Sequence, residues 1–223
     1  MSASRSELMH VYRRLYRRYG DLHWWPGRTP LEISVGAILT QNTAWTNVEK
    51  AIRRLREKRS LSVRVLARLA PGSLGRLIRS AGYFNVKARR LKNFIAFLQS
   101  RYGGSLKKMS RQEVDRLRPE LLSVNGVGPE TADSILLYAA GKPVFVIDAY
   151  TKRILSRHGV TPYDKSYEEF KKIFTDALPA DVHLYNQYHA MFVNVGKDFC
   201  RGRPRCGGCP LNGCRGVPPL RGM

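Results

Sequence analysis

Helical periodicity dominates the chain and leaves little room for any other fold class. Leu8, Val11, Tyr12, Leu15 and Tyr19 recur on one face of a first predicted helix. Thr29-Pro30 with Glu32 predicts the start of a second, through "LEISVGAILTQ", because threonine caps well and proline suits a first turn. "WTNVEKAIRRLREK" reads as a third, with a strongly basic face. Short helices are expected near 62–69 and 72–80, and a long one from about Val86 to Gly103-Gly104. Ser110 with Glu113 resembles a capping box for another short helix. Further helices are expected at 129–140, 149–157, 166–177 and 182–196. "PVFVI" (143–147) is strand-like but has no partner run, so it is read as an extended loop. The expectation is an all-α fold.

Within that fold, charge points to the partner. Lys and Arg number 39 against 17 Asp and Glu, a formal charge of +22. Such an excess implies a polyanion, with nucleic acid the first candidate and an anionic membrane surface the second. No apolar run reaches the length that spans a bilayer, and "MSASRSELMHVYRRLYRRYG" lacks the apolar stretch of a secretory signal. A reducing, cytoplasmic setting is therefore expected. The four cysteines, Cys200, Cys206, Cys209 and Cys214, crowd into "CRGRPRCGGCPLNGC". Disulfide staples would be scattered; four thiolates this close read as one metal site, tetrahedral zinc or a [4Fe-4S] cluster, with spacing alone favouring zinc.

Two further features carry chemistry. Gly126-Val127-Gly128 joins the apolar helix end Leu121-Leu122-Val124 to a helix beginning at Pro129. Two helices so joined form a helix-hairpin-helix, whose glycines let backbone amides approach an anion such as a DNA phosphate. An ordinary helix–helix turn would look the same; the charge of the chain favours DNA. Asp148 follows four apolar residues and precedes a helix, so it reads as an N-cap, a catalytic carboxylate, or both.

"LTQNT" (39–43), "AGYFNVKARRL" (81–91), "VNGVGPETAD" (124–133), "VIDAYTKRI" (146–154) and the cysteine tail, in this order and separation, resemble the endonuclease III family of helix-hairpin-helix DNA glycosylases. The resemblance implies a two-lobed all-α fold. A six-helix lobe would span 29–142; residues 1–28 and 143–223 would form the other, with a cluster loop at 200–214. It also implies a [4Fe-4S] cluster rather than zinc, duplex DNA with a damaged base as partner, nucleotide flipping, and a monomer associated with the nucleoid. Asp148 matches the family's catalytic aspartate. Gln41 resembles the residue that fills the gap left by the flipped nucleotide, and Tyr83 or Phe84 the wedge in the opposite strand. Lys87, Arg89 and Arg90, and the loop with Arg201, Arg203 and Arg205, are candidate phosphate contacts.

The departure at position 130 sets the expected chemistry. Bifunctional members carry a lysine there that forms a Schiff base with the sugar; this chain has Glu130. A carboxylate forms no imine, so monofunctional hydrolysis is expected, with lyase activity absent or weak. Glu130 also suits a helix's first turn, where the dipole favours an acid. Trp24 and Trp25 in "HWWPG", and Trp45 after "QNT", offer electron-rich faces to a cationic base, although core packing is their ordinary use. With Glu130 they resemble the 3-methyladenine DNA glycosylase branch, which implies alkylated purines as substrate. The alternatives are a glycosylase for oxidised, deaminated or mismatched bases, or a DNA-structure-binding protein without catalysis.

Overall fold

The structure is a computed structural model and describes residues 3–25 and 27–213. Among these residues every regular element is helical, and the chain divides into two compact units. No described helix is long and apolar enough to cross a membrane.

The unit Pro26–Lys142 is built around one apolar helix. In chain order it contains α2 (Pro30–Leu39), α3 (Trp45–Glu57), α4 (Val63–Arg68), α5 (Pro71–Leu77), α6 (Phe84–Tyr102), α7 (Leu106–Ser110), α8 (Val114–Leu122) and α9 (Pro129–Ser134). These follow α1 (Arg5–Tyr19) of the other unit. Helix α2 is capped by Thr29, whose side chain accepts from Glu32 N, with Pro30 in its first turn. It buries residues on every side, from Leu31 through Leu39 except Ile33, as a helix apolar all round must. Helices α3, α6 and α9 pack against it. The charges it meets are paired: buried Glu32 with Arg56, and buried Asp133 with Arg118 through contacts of 2.7 and 3.3 Å.

The other unit combines Met1–Trp25 with Pro143–Met223. Alongside α1 it contains α10 (Ala149–Arg157), α11 (Tyr167–Thr175) and α12 (Val182–Asp198). Residues 143–147 form no helix or strand, in agreement with a loop, and Val144, Phe145, Val146 and Ile147 are all buried. Phe145 stacks on Phe174 at 3.9 Å between ring centroids and meets Tyr185 and Tyr188 edge-on. The Ile147 amide donates to the Tyr167 hydroxyl. That segment hands the chain to Asp148 from a buried aromatic core.

The Ser110–Glu113 expectation is corrected. Ser110 closes α7 and its hydroxyl donates to Lys107 O, while Glu113 is itself the N-cap of α8. The spacing matched a capping box, but the helix starts three residues too late to use it.

Candidate functional site

The hairpin between α8 and α9 turns through Val124 and Val127, both buried, so the solvent side is left to the glycines and Asn125. Gly126 has φ 93°, and a Cβ there would lie 2.2 Å from Arg90 Cγ; no other residue fits without moving Arg90. Gly128 needs no special backbone geometry. Its φ of −90° and ψ of 178° suit any residue, and a Cβ would meet nothing within 4 Å. What this glycine supplies is open space over the start of α9, which continues as a π-turn, Ile135–Ala139. Glu130 is exposed in the first turn of α9.

Gln41 ties "LTQNT" to this hairpin. Its Nε2 donates to Gly126 O at 3.0 Å and Thr131 Oγ1 at 2.9 Å, and its Oε1 accepts from Arg90. The side chain is half-buried and engaged at both ends. Trp45 opens α3, half-buried, with its indole N–H donating to Glu49.

The loop before α6 separates the two wedge candidates. Tyr83 is 74% exposed at φ 44°, directly after Gly82 at φ 66°. An aromatic residue held left-handed and outward is a strained arrangement of the kind found where function requires it. Phe84 is half-buried, and a Cβ on Gly75 of α5 would lie 3.3 Å from its ring. Tyr83, not Phe84, projects.

Lys87 is a correction. It is 1% exposed, and its Nζ donates to Leu39 O at 2.8 Å, Thr43 Oγ1 at 2.6 Å and Ala81 O at 2.7 Å. An ammonium has three N–H donors and all are used, so no phosphate is reached. Burial pulls its pKa down to about 8, and the neighbouring Arg90 charge adds to the shift. Arg89 is exposed.

In the other unit Asp148 caps α10, its Oδ1 accepting from Thr151 N at 2.7 Å. Its Oδ2 lies 3.6 Å from Nε2 of His189 on α12, with side-chain exposures of 12% and 5%. Burial pushes the carboxyl up, but His189 and then the Thr151 cap outweigh it and hold the group below the usual carboxylate range. The sequence reading passed over His189. Its signal was a polar residue among Tyr185, Tyr188 and Phe192 on the buried stripe of α12.

Trp24 and Trp25 lie on a non-helical strap held by Gln187, which accepts from Leu22 N and donates to Asp21. Their rings meet edge to face at 6.2 Å. Lys197 Nζ stands 5.4 Å from the Trp24 ring centroid, so this face already attracts a cation.

The cysteine loop follows α12. Arg153 and Arg157 of α10 reach it: Arg153 Nε donates to Cys200 O at 2.7 Å, and Arg157 to the carbonyls of Arg201 and Gly202 and, at 3.6 Å, to Cys200 Sγ. Arg201, Arg203 and Arg205 are exposed, the Arg201 guanidinium donating to Lys197 O. Cys200, Cys206 and Cys209 are free thiols; Cys214 lies outside the described residues. Among the described residues no three ligands close into a metal group. The donor set nevertheless fits one. Burial pushes the Cys209 thiol up and the charges of Cys206 and Cys200 add to it, a mutual repulsion that a bound cation would relieve.

Comparison with known proteins places this arrangement. Residues 35–180 match the HhH-GPD superfamily base excision DNA repair protein family. A provisionally named DNA repair glycosylase of Methanocaldococcus jannaschii is 46% identical over 214 residues, 95% of this chain and 97% of that one. Endonuclease III of Thermotoga maritima is 30% identical over 82% of this chain and 80% of its own. A structure of a trapped endonuclease III–DNA covalent intermediate superposes with a TM-score of 0.81 at 26% identity, over 96% of this chain and 97% of that one. A Helicobacter pylori 3-methyladenine DNA glycosylase bound to 1,N6-ethenoadenine gives 0.72 at 22% identity, over 86% and 97%, and so shares the fold. The chain belongs to the HhH-GPD superfamily of base excision DNA repair proteins, among its endonuclease III-like DNA glycosylases.

Proposed function

We propose that the protein is a monofunctional DNA glycosylase that hydrolyses the N-glycosidic bond of alkylated purines. One observation carries the hydrolytic reading: Glu130 stands exposed in the first turn of α9, two residues past Gly128, where the bifunctional pattern has its amine. Lys87, the amine of the neighbouring motif, is spent on two buried carbonyls and the Thr43 hydroxyl. Without an amine, water completes the reaction. As the base leaves, positive charge grows on the sugar, and the ionised Asp148 stabilises it or directs water to it.

The cationic base is supported by the Trp24 face, which already holds Lys197 as an ammonium would be held. A base carrying a positive charge competes for that face and is also a good leaving group, which suits one carboxylate working alone. Gly126, Gly128, Gln41, Tyr83 and the arginines of 201–205 are proposed to contact DNA, the exposed Tyr83 as the wedge. For Gln41 this means leaving its partners on the hairpin. Cys200, Cys206, Cys209 and Cys214 would hold a [4Fe-4S] cluster, which when bound cross-links the tail into an ordered loop.

The test is base release from duplexes carrying N3-methyladenine, uracil, thymine opposite guanine, or thymine glycol. The alkylpurine should be released fastest. Preference for the mismatch or for thymine glycol would replace the substrate reading, and release from none would favour a binding protein.

A further inference from the structure

His189 has no part in the catalytic reading above, yet its surroundings are unusual for a core side chain. It is 4% exposed, on the stripe of α12 otherwise filled by Tyr185, Tyr188 and Phe192. An apolar residue would fill that volume without the cost of burying an imidazole. The ring instead directs Nε2 at Asp148 Oδ2, 3.6 Å away. The two carboxylate oxygens are thereby distinguished: Oδ1 is committed to the helix cap at Thr151 N, and Oδ2 faces the imidazole.

Resting on the reading of Asp148 as the group that meets the sugar, we propose that His189 is its positioning residue, holding Oδ2 so that the carboxylate is presented ionised and in one orientation. The contact is longer than a hydrogen bond, as such contacts often are before substrate binds, and it shortens on DNA binding. To donate to Oδ2, Nε2 must carry the proton. The groups facing the carboxyl are His189 from α12 and Thr151 from α10, and both favour its ionised form against the opposing effect of burial.

The experiment measures single-turnover base release over about pH 3 to 8, corrected for uncatalysed base loss, from duplexes carrying N3-methyladenine or a thymine–guanine mismatch. It compares wild type, His189→Leu, His189→Gln and Asp148→Asn, with DNA affinity and thermal melting in parallel. In His189→Leu the acidic limb should move up by about one pH unit and the plateau fall about tenfold, with DNA affinity held within about twofold. His189→Gln supplies an amide N–H and should recover the plateau to within about threefold, but leave the limb displaced, since it carries no charge. A merely structural histidine would lower the melting temperature and leave the limb in place. Unchanged limb and plateau in either folded variant overturns the proposal; if His189→Leu does not fold, the limb of His189→Gln decides alone. Full activity in Asp148→Asn would sink the underlying reading instead. An inactive Asp148→Asn beside unchanged His189 variants would sink only the positioning role.

Discussion

Lys87 and Asp148 are both charges taken out of water, one in each unit, and they are held in opposite ways. Lys87 has three N–H donors and three oxygens to receive them, the two carbonyls buried and the Thr43 hydroxyl half-buried. Two of those oxygens, Leu39 O and Ala81 O, end α2 and the 3₁₀ turn Arg79–Ala81, so the lysine works as a rivet between chain segments. Asp148 has one oxygen fixed by a helix cap and the other facing an imidazole beyond hydrogen-bond distance. A carboxylate offers about four lone-pair sites, so capacity remains. A saturated buried charge is architecture; an ionised one left partly unsatisfied is available to a substrate.

The largest effect should come from Asp148→Asn. Asparagine caps a helix as well as aspartate does, so stability should stay within about 1 kcal/mol. Single-turnover base release should fall by about 10²–10³-fold or more. Retained release in that variant would erase the contrast between the two charges.

Lys87→Met should do the reverse. Leu39 O loses its side-chain donor and Ala81 O keeps only that of the Thr43 hydroxyl, and the unfolding free energy should drop by about 2 kcal/mol in chemical denaturation. Base release per folded molecule and the salt dependence of DNA binding should be nearly unchanged. A variant of normal stability with weakened DNA binding would return Lys87 to the interface.

A smaller effect sharpens the same point through pH. The Lys87 pKa falls from the ordinary 10.5 to about 8 on folding, so the folded state binds fewer protons between those values. Stability should therefore rise from about pH 8 towards pH 10, by about 1–2 kcal/mol. Above that, Tyr19 and Tyr102, both pushed up by burial, act in the opposite sense. The rise should vanish in Lys87→Met. A wild-type curve that falls steadily from pH 8 would contradict the burial of this ammonium.

The sequence made the helices, the Thr29 cap, the glycine hairpin and the Asp148 cap legible because each rests on contacts within four residues. Lys87 and His189 were missed for the opposite reason. Lys87 lies among Arg89 and Arg90, so local charge reads it as exposed. Its true partners are 6, 44 and 48 positions away. The only trace was its register with Leu91, Phe94, Ile95 and Leu98 on the buried stripe of α6. His189 and Asp148 are 41 positions apart, and nothing in "NQYHAMFV" says which carboxylate the imidazole meets. The Gln41 link to Gly126 is likewise invisible in sequence, since a side-chain amide and a backbone carbonyl 85 residues apart carry no mark of contact.

The central claim, hydrolysis by a carboxylate without an amine, is tested most directly by incubating wild-type protein with a lesion duplex in the presence of borohydride. The base should be released, the abasic strand should stay intact until heated in alkali, and no covalent protein–DNA adduct should form. A strong borohydride-trapped adduct, with strand cleavage at neutral pH, would show that an amine such as Lys197 reaches the sugar and would contradict the account.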